Sequence, residues 1–211
     1  MRRAIRIMAL VIAGVGLCWL LPPFRIVSLQ RAAQEKTAGE FDAAKFADTF
    51  WSDTLLKSLG QAVKADVLMA AVRADPAAAR KKFSHSVGLS DAYFYFLSGA
   101  GRVLSVSDSE ISLAVTDGAT NAEIILQTGP LFGNAVRDGT GLINVNDYAN
   151  SQDFNDISTA LNRIVETRVL PDLRKQARVG TPIRFTGCAE VDDESADSHP
   201  LRVVPIQAEV Q

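Results

Sequence analysis

The chain has 211 residues, 47% of them hydrophobic and 22% charged, which excludes intrinsic disorder, a collagen-like repeat and a disulfide-dense scaffold. The net charge of -2 is unevenly spread: residues 1–30 hold Arg2, Arg3, Arg6 and Arg25 and no acid, while residues 31–211 carry 18 basic and 24 acidic side chains. An acidic body of this kind argues against a reader of phosphate backbones, so no nucleic-acid partner is expected.

The first element is an uncharged run over residues 7–24, behind three arginines. Arginines ahead of an apolar run keep the N-terminus in the cytoplasm and send the rest across the membrane. The run is close to the ~20 residues of a spanning helix and longer than the ~7–15 of a cleavable signal core. Pro22-Pro23 ends any helix there, because neither residue has an amide hydrogen. A single N-terminal anchor in the inner membrane is therefore expected, with the body on the periplasmic face. Cleavage and lipidation are the other two routes. Cys18 is the candidate lipidation residue, but the bulky Leu17 stands where a small residue is needed.

Residues 25–40 read as a polar stem. From residue 41 to about 60 the pattern is helical, with Asp42 as N-cap and Phe46, Phe50, Leu56 and Leu59 near one face. A second helix is predicted over 66–73, with Val67, Leu68, Ala71 and Val72 as its apolar side. Asp75-Pro76 is a cap followed by a first-turn proline, opening a third helix that leaves His85 at a solvated end. Residues 31–87 thus form a small helical unit.

From residue 88 the character changes to β. YFYFLSGAGRVLSV is aromatic and β-branched, with Gly99 and Gly101 where one long strand bends. Tyr93, Phe94, Tyr95 and Phe96 alternate sides, which makes them core and helix-interface residues rather than a stacking platform. Ile111, Leu113 and Val115 alternate in a second strand, and 123–127 is a third. Residues 128–150 are rich in glycine and asparagine. A helix follows from Ser151, buried through Phe154, Ile157, Leu161, Ile164 and Val165, and Pro171 breaks or kinks it. Ile183 and Phe185 mark a fourth strand; Val204, Ile206, Ala208 and Val210 mark a fifth. Three strands, a helix, then two strands is the order of an OB-like five-stranded barrel over 88–211, in an α+β chain whose rival layout is an open α+β sheet.

Cys18 and Cys188 are the two cysteines, and one in a membrane segment cannot pair with one in a distant strand. Cys188 reads as a buried thiol without a catalytic histidine beside it. Asp192, Asp193, Glu194, Asp197 and His199 form an acidic loop without calcium-loop spacing. No nucleophile elbow, metal-histidine pair or phosphate loop appears, so neither catalytic residue nor cofactor is assigned. The candidate ligand or partner surface is Arg137, Asp138, Asn146, Asp147 and Asn150, in the long loop before the helix. Arg137 and Asp138 form either an internal ion pair or a fork presented to a carboxylate or sugar, and the asparagines are cap residues.

These segments also carry a resemblance. FRIVSL after the apolar run, F-D-x-x-x-F with Trp51, A-D-P at 74–76, GPLFGNAVRDG, NVNDYANSQDF, ALN at 160–162 and RFTGCAEV together resemble a bacterial family of predicted periplasmic lipoproteins of unknown function. Members are often encoded beside sugar ABC transporters, so the resemblance implies an accessory or binding role near carbohydrate uptake, with a transporter component or a small solute as partner. An uncharacterised periplasmic enzyme and a metal or haem carrier on an OB barrel are the alternatives. The resemblance brings no catalytic residue.

Overall fold

The structure, a computed structural model, describes residues 41–88, 91–148, 150–192 and 199–211. The apolar run at 7–24, Cys18, the stem and most of the acidic loop lie outside them. Among the described residues no helix is long and apolar enough to cross a membrane. Residues Asp42–Gln211 make one compact unit.

Helix α1 (Ala43–Phe50) starts where its cap predicts, with the Asp42 carboxylate accepting the Lys45 N–H at 2.9 Å. It continues through a π-helical turn, Trp51–Leu55, into α2 (Leu56–Ser58). The extra residue in the wide turn rotates the stripe, so Leu55 is buried and Leu56, expected inside, is exposed. Strand β1 (Val63–Lys64) and helix α3 (Ala65–Ala74) follow. In α3, Ala65, Leu68, Met69 and Val72 are buried while Val67 points outward, which corrects the predicted face by one position. Asp75 caps α4 (Pro76–Phe83) by accepting the Ala78 N–H at 3.0 Å. His85 does not end that helix. It lies in a short strand, β2 (Ser84–Ser86).

The long strand β3 (Tyr93–Val106) organises the sheet. One of its edges pairs with β6 (Pro182–Val191) over ten residues, from Tyr93 with Val191 to Arg102 with Pro182. Its other edge is shared in turn by β2, β1 and β4 (Glu110–Ala114). β4 pairs with β5 (Ile124–Gln127), β5 with β7 (Leu201–Val210), and β7 with β6, so the pairings run back to β3. The sheet has seven strands among the described residues, in place of the five expected. The two extra strands come from the helical region and cover backbone groups of β3 that would otherwise form an open edge. Gly99 and Gly101 serve close approach: a Cβ would lie 2.8 Å from the Ala65 Cβ at the first and 2.9 Å from the Ala114 carbonyl at the second.

Tyr93, Phe94, Tyr95 and Phe96 are all buried, because sheet core takes one set and helices the other. The rings of Tyr93 and Tyr95 meet edge to face at 5.4 Å, and the Arg80 guanidinium lies 4.3 Å from the Tyr93 ring centre. Glu123, just before β5, accepts the N–H groups of Val115 and Thr116 and the Thr116 hydroxyl, and pairs with Arg73 of α3 at 2.9 Å. Burial pushes its carboxyl up, but these donors outweigh burial and hold it below its ordinary range.

Between β5 and β6 come the one-turn helix α5 (Ala135–Asp138), the long helix α6 (Ser151–Ile164) and α7 (Leu170–Gln176). A second π-helical turn, Val165–Val169, joins α6 to α7. Pro171 therefore neither ends the helix nor breaks its path. The widened turn precedes it, and the proline sits in the first turn of α7, where a missing N–H costs little.

Candidate functional site

The four residues of α5 are all buried, and its Arg137 and Asp138 are 4% and 2% exposed. Neighbours in sequence rarely meet on a helix. Here the Arg137 guanidinium folds back across the single turn and grips the Asp138 carboxylate with two parallel bonds, Nε to Oδ1 and Nη2 to Oδ2, each 2.7 Å. Nη1 donates to the Phe154 carbonyl at 3.0 Å and to Asn155 Oδ1 at 3.4 Å. The guanidinium plane also covers the Phe154 ring, with 3.6 Å from its carbon to the ring centre. The pair ties α5 to the first turns of α6.

From Phe154 an aromatic chain runs across to α1. Tyr148 leans on Phe154 at 5.4 Å, Phe46 of α1 meets Tyr148 edge-on at 5.9 Å, and Phe50 stacks on Phe46 at 6.0 Å. Within the asparagine-rich segment, the residue that joins this chain is thus Tyr148. Asn150 caps α6, accepting the Asp153 N–H at 2.8 Å. Asn146 and Asp147 lie exposed on a one-turn 3-10 helix whose cap is Asn144. Of the five residues expected to share a surface, Arg137 and Asp138 lie inside, Asn150 caps the helix they hold, and Asn146 and Asp147 stand apart on the outside.

The loop 129–134 is fixed by side chains that sequence reasoning did not single out. Glu166 accepts the Leu131 N–H at 2.7 Å, and Asn162 donates to the Gly133 carbonyl at 3.1 Å. Ser158 donates to Asn134 Oδ1 at 2.8 Å, and Glu190 accepts the Asn134 N–H at 3.0 Å. Arg174 donates to the Thr128 carbonyl where the loop begins. Gly133 takes the left-handed backbone, with φ of 81°. The outcome is that Phe132 projects outward, 82% exposed, from a loop held on both sides. Beside it lies an open groove of about 800 Å³, lined by that loop and by the polar face of α6 with Asn155, Ser158, Asn162 and Arg163.

Burial pushes the Glu190 carboxyl above its ordinary value of 4.5. The negative charges of Asp192 and Asp138 add to the rise, while the Asn134 N–H and Arg137 oppose it. A carboxyl raised in the folded state binds its proton more tightly there than in the unfolded chain. Its contribution to stability is therefore full below about pH 4.5 and is lost as pH rises through the raised value. Glu190→Gln cannot ionise, so its melting temperature should gain on that of the native chain as pH climbs from below 4.5 toward neutrality. Melting curves across that range test this, and a gap independent of pH would refute it.

Cys188 is buried against α5, and burial followed by the nearby Asp138 charge pushes its thiol far up, which suits a packing residue and not a nucleophile. No group of three or more metal-ligating side chains occurs among the described residues. Asp192 and His199 are described, but residues 193–198 of the acidic loop lie outside them.

In three dimensions the chain is similar to an OB-fold protein from Thermotoga maritima, known from a crystal structure. The match has 26% sequence identity and a TM-score of 0.73, and it covers 82% of this chain and all of that one. No curated protein matches it. Residues 8–209 match the family profile described as predicted periplasmic lipoprotein (DUF2291), so the resemblance carried by the GPLFGNAVRDG and NVNDYANSQDF segments is confirmed and the chain belongs to that family.

Proposed function

We propose that this protein is a membrane-tethered periplasmic binding module, held by residues 7–24 and working beside a sugar importer, with the groove along α6 in its OB-like barrel domain as the recognition surface. The observation that carries this reading is Phe132, a phenyl ring shown to solvent by a loop that four side chains hold in place. Such fixation lowers the ordering cost of binding, and a volume of about 800 Å³ is that of a small-molecule site. The lining chemistry suits a neutral hydroxylated ring. Amides and hydroxyls both donate and accept, as sugar hydroxyls do, and a phenyl face packs against ring C–H groups. The groove's charged side chains among the described residues are Arg163 and Glu166, one of each sign, and Glu166 also accepts the Leu131 N–H, so the lining carries no net charge.

The test is calorimetric titration of the full chain, in a polyoxyethylene detergent free of sugar headgroups, with ribose, xylose and glucose. At least one should bind saturably. Phe132→Ala should weaken that binding by about tenfold, roughly 1.4 kcal/mol, at an unchanged melting temperature. Absence of binding by all three, or equal binding by the variant, would overturn the reading.

A further inference from the structure

A second cleft, sharing no lining residue with the groove of Phe132, lies between the segment carrying Leu59, Gly60, Lys64 and Asp66 and a face of β3 and β6. Its volume is about 550 Å³. The strand registers decide what lines its floor. Lys64 of β1 stands beside Ser98 of β3, and Ser98 stands beside Thr186 of β6. Residues directly opposed in a ladder send their side chains to the same face. One ammonium and two hydroxyls therefore form a row across three strands. Two residues along, Ala100 pairs with Arg184, so the guanidinium rises from the same face beside a methyl group that leaves it room. Lys64 and Arg184 are exposed, and neither enters any of the ion pairs among the described residues. Asp66 is the one acid in the lining, against two cations, and Glu209 of β7 stands opposite Arg184 just outside it, where it orients the guanidinium without making an ion pair among those the described residues form.

We propose that this cleft binds the oxyanion group, phosphate or carboxylate, of a small ligand. Arg184 supplies the planar two-pronged donor, Ser98 and Thr186 the neutral donors, and Lys64 the point charge. The site is independent of the proposed sugar groove, and its success or failure leaves that reading untouched. In a membrane-tethered protein the oxyanion comes either from a dissolved solute or from a lipid headgroup, and the experiment separates the two.

Inorganic phosphate is titrated into the full chain held in phosphatidylcholine nanodiscs, and again in nanodiscs that contain phosphatidylglycerol. Saturable binding is expected in the first. Arg184→Ala should weaken it by about tenfold, and Lys64→Ala should weaken it too, as expected of charge-assisted donors. Both side chains are exposed, so the variants should melt with the native chain, which confirms that binding and not folding is read. Unchanged phosphate affinity in the second nanodisc assigns a dissolved ligand, and loss of phosphate binding there assigns the anionic headgroup. No saturable binding in phosphatidylcholine nanodiscs, or binding indifferent to both variants, overturns the proposal.

Discussion

Replacing Arg137 with alanine is expected to destabilise the folded protein by about 3–5 kcal/mol, because it leaves the Asp138 carboxylate buried without its cation. Asp138 is 2% exposed, and its two oxygens are both held by that guanidinium. The same change uncovers the Phe154 ring and frees the Phe154 carbonyl, so the tie between α5 and α6 is lost with the charge. Denaturant unfolding of the native and variant chains measures the cost. Two companions make the cause specific. Arg137→Lys should recover little, since a single ammonium cannot reproduce two parallel bonds and a stacked plane. Arg137→Leu combined with Asp138→Leu should cost less than Arg137→Ala alone, since no unpaired charge remains. A loss below about 1 kcal/mol for Arg137→Ala would show that water or another cation reaches Asp138.

Gly139→Ala is the second large effect. A Cβ at this position would lie 2.5 Å from the Ala135 carbonyl oxygen, 2.5 Å from the Cys188 Cβ and 2.5 Å from its Sγ. Overpacking of this kind costs about 1–3 kcal/mol, and more where backbone is among the neighbours. The glycine lets α5 seat directly on β6, so the added methyl lifts the helix that carries the Arg137–Asp138 pair. Cys188→Ala in the same chain should give only partial relief, because the Cβ of residue 188 is itself too close. Unfolding curves of the single and double variants decide this; a Gly139→Ala protein as stable as the native chain would mean that α5 can shift without loss.

The order of the strands along the chain was legible because alternation marks some of them, Ile111 with Leu113 and Ile183 with Phe185, while the aromatic run Tyr93–Phe96 marks the longest. β1 and β2 were not, since two or three residues carry no period, and only the open edge of β3 explains their placement. The two π-helical turns were equally hidden. A wide turn is a compromise between packing and backbone bonding and has no composition of its own, yet it moved burial from Leu56 to Leu55 and accommodated Pro171. At the candidate site, the Arg-Asp dipeptide was visible, and one of its two readings, the internal pair, is the geometry found. The residues that fix the loop, Glu166, Asn162, Ser158 and Glu190, were invisible for a physical reason: each acts on a group 24–56 residues away, three of them on backbone and Ser158 on the Asn134 side chain. One faint signal existed. The strand RFTGCAEV places Cys188 and Glu190 on the side opposite its obvious apolar set, which implies that something covers that side as well.

The ten-residue pairing of β3 with β6 has a consequence for how the protein comes to be folded. Tyr93 meets Val191 and Arg102 meets Pro182, so the longest ladder joins segments some eighty to a hundred residues apart in the chain. Such closure is entropically slow compared with helix formation, and nothing local can substitute for it. While the chain is being made, α1, α3 and α4 can form as soon as they emerge, but β3 must wait with one edge bare until β6 arrives. During that interval YFYF presents adjacent aromatic side chains on an unpaired strand, the condition under which chains stick to one another. The nascent protein therefore passes through a vulnerable stage that lasts while those eighty to a hundred residues are added, and holding chaperones should matter more to its yield than its final stability suggests.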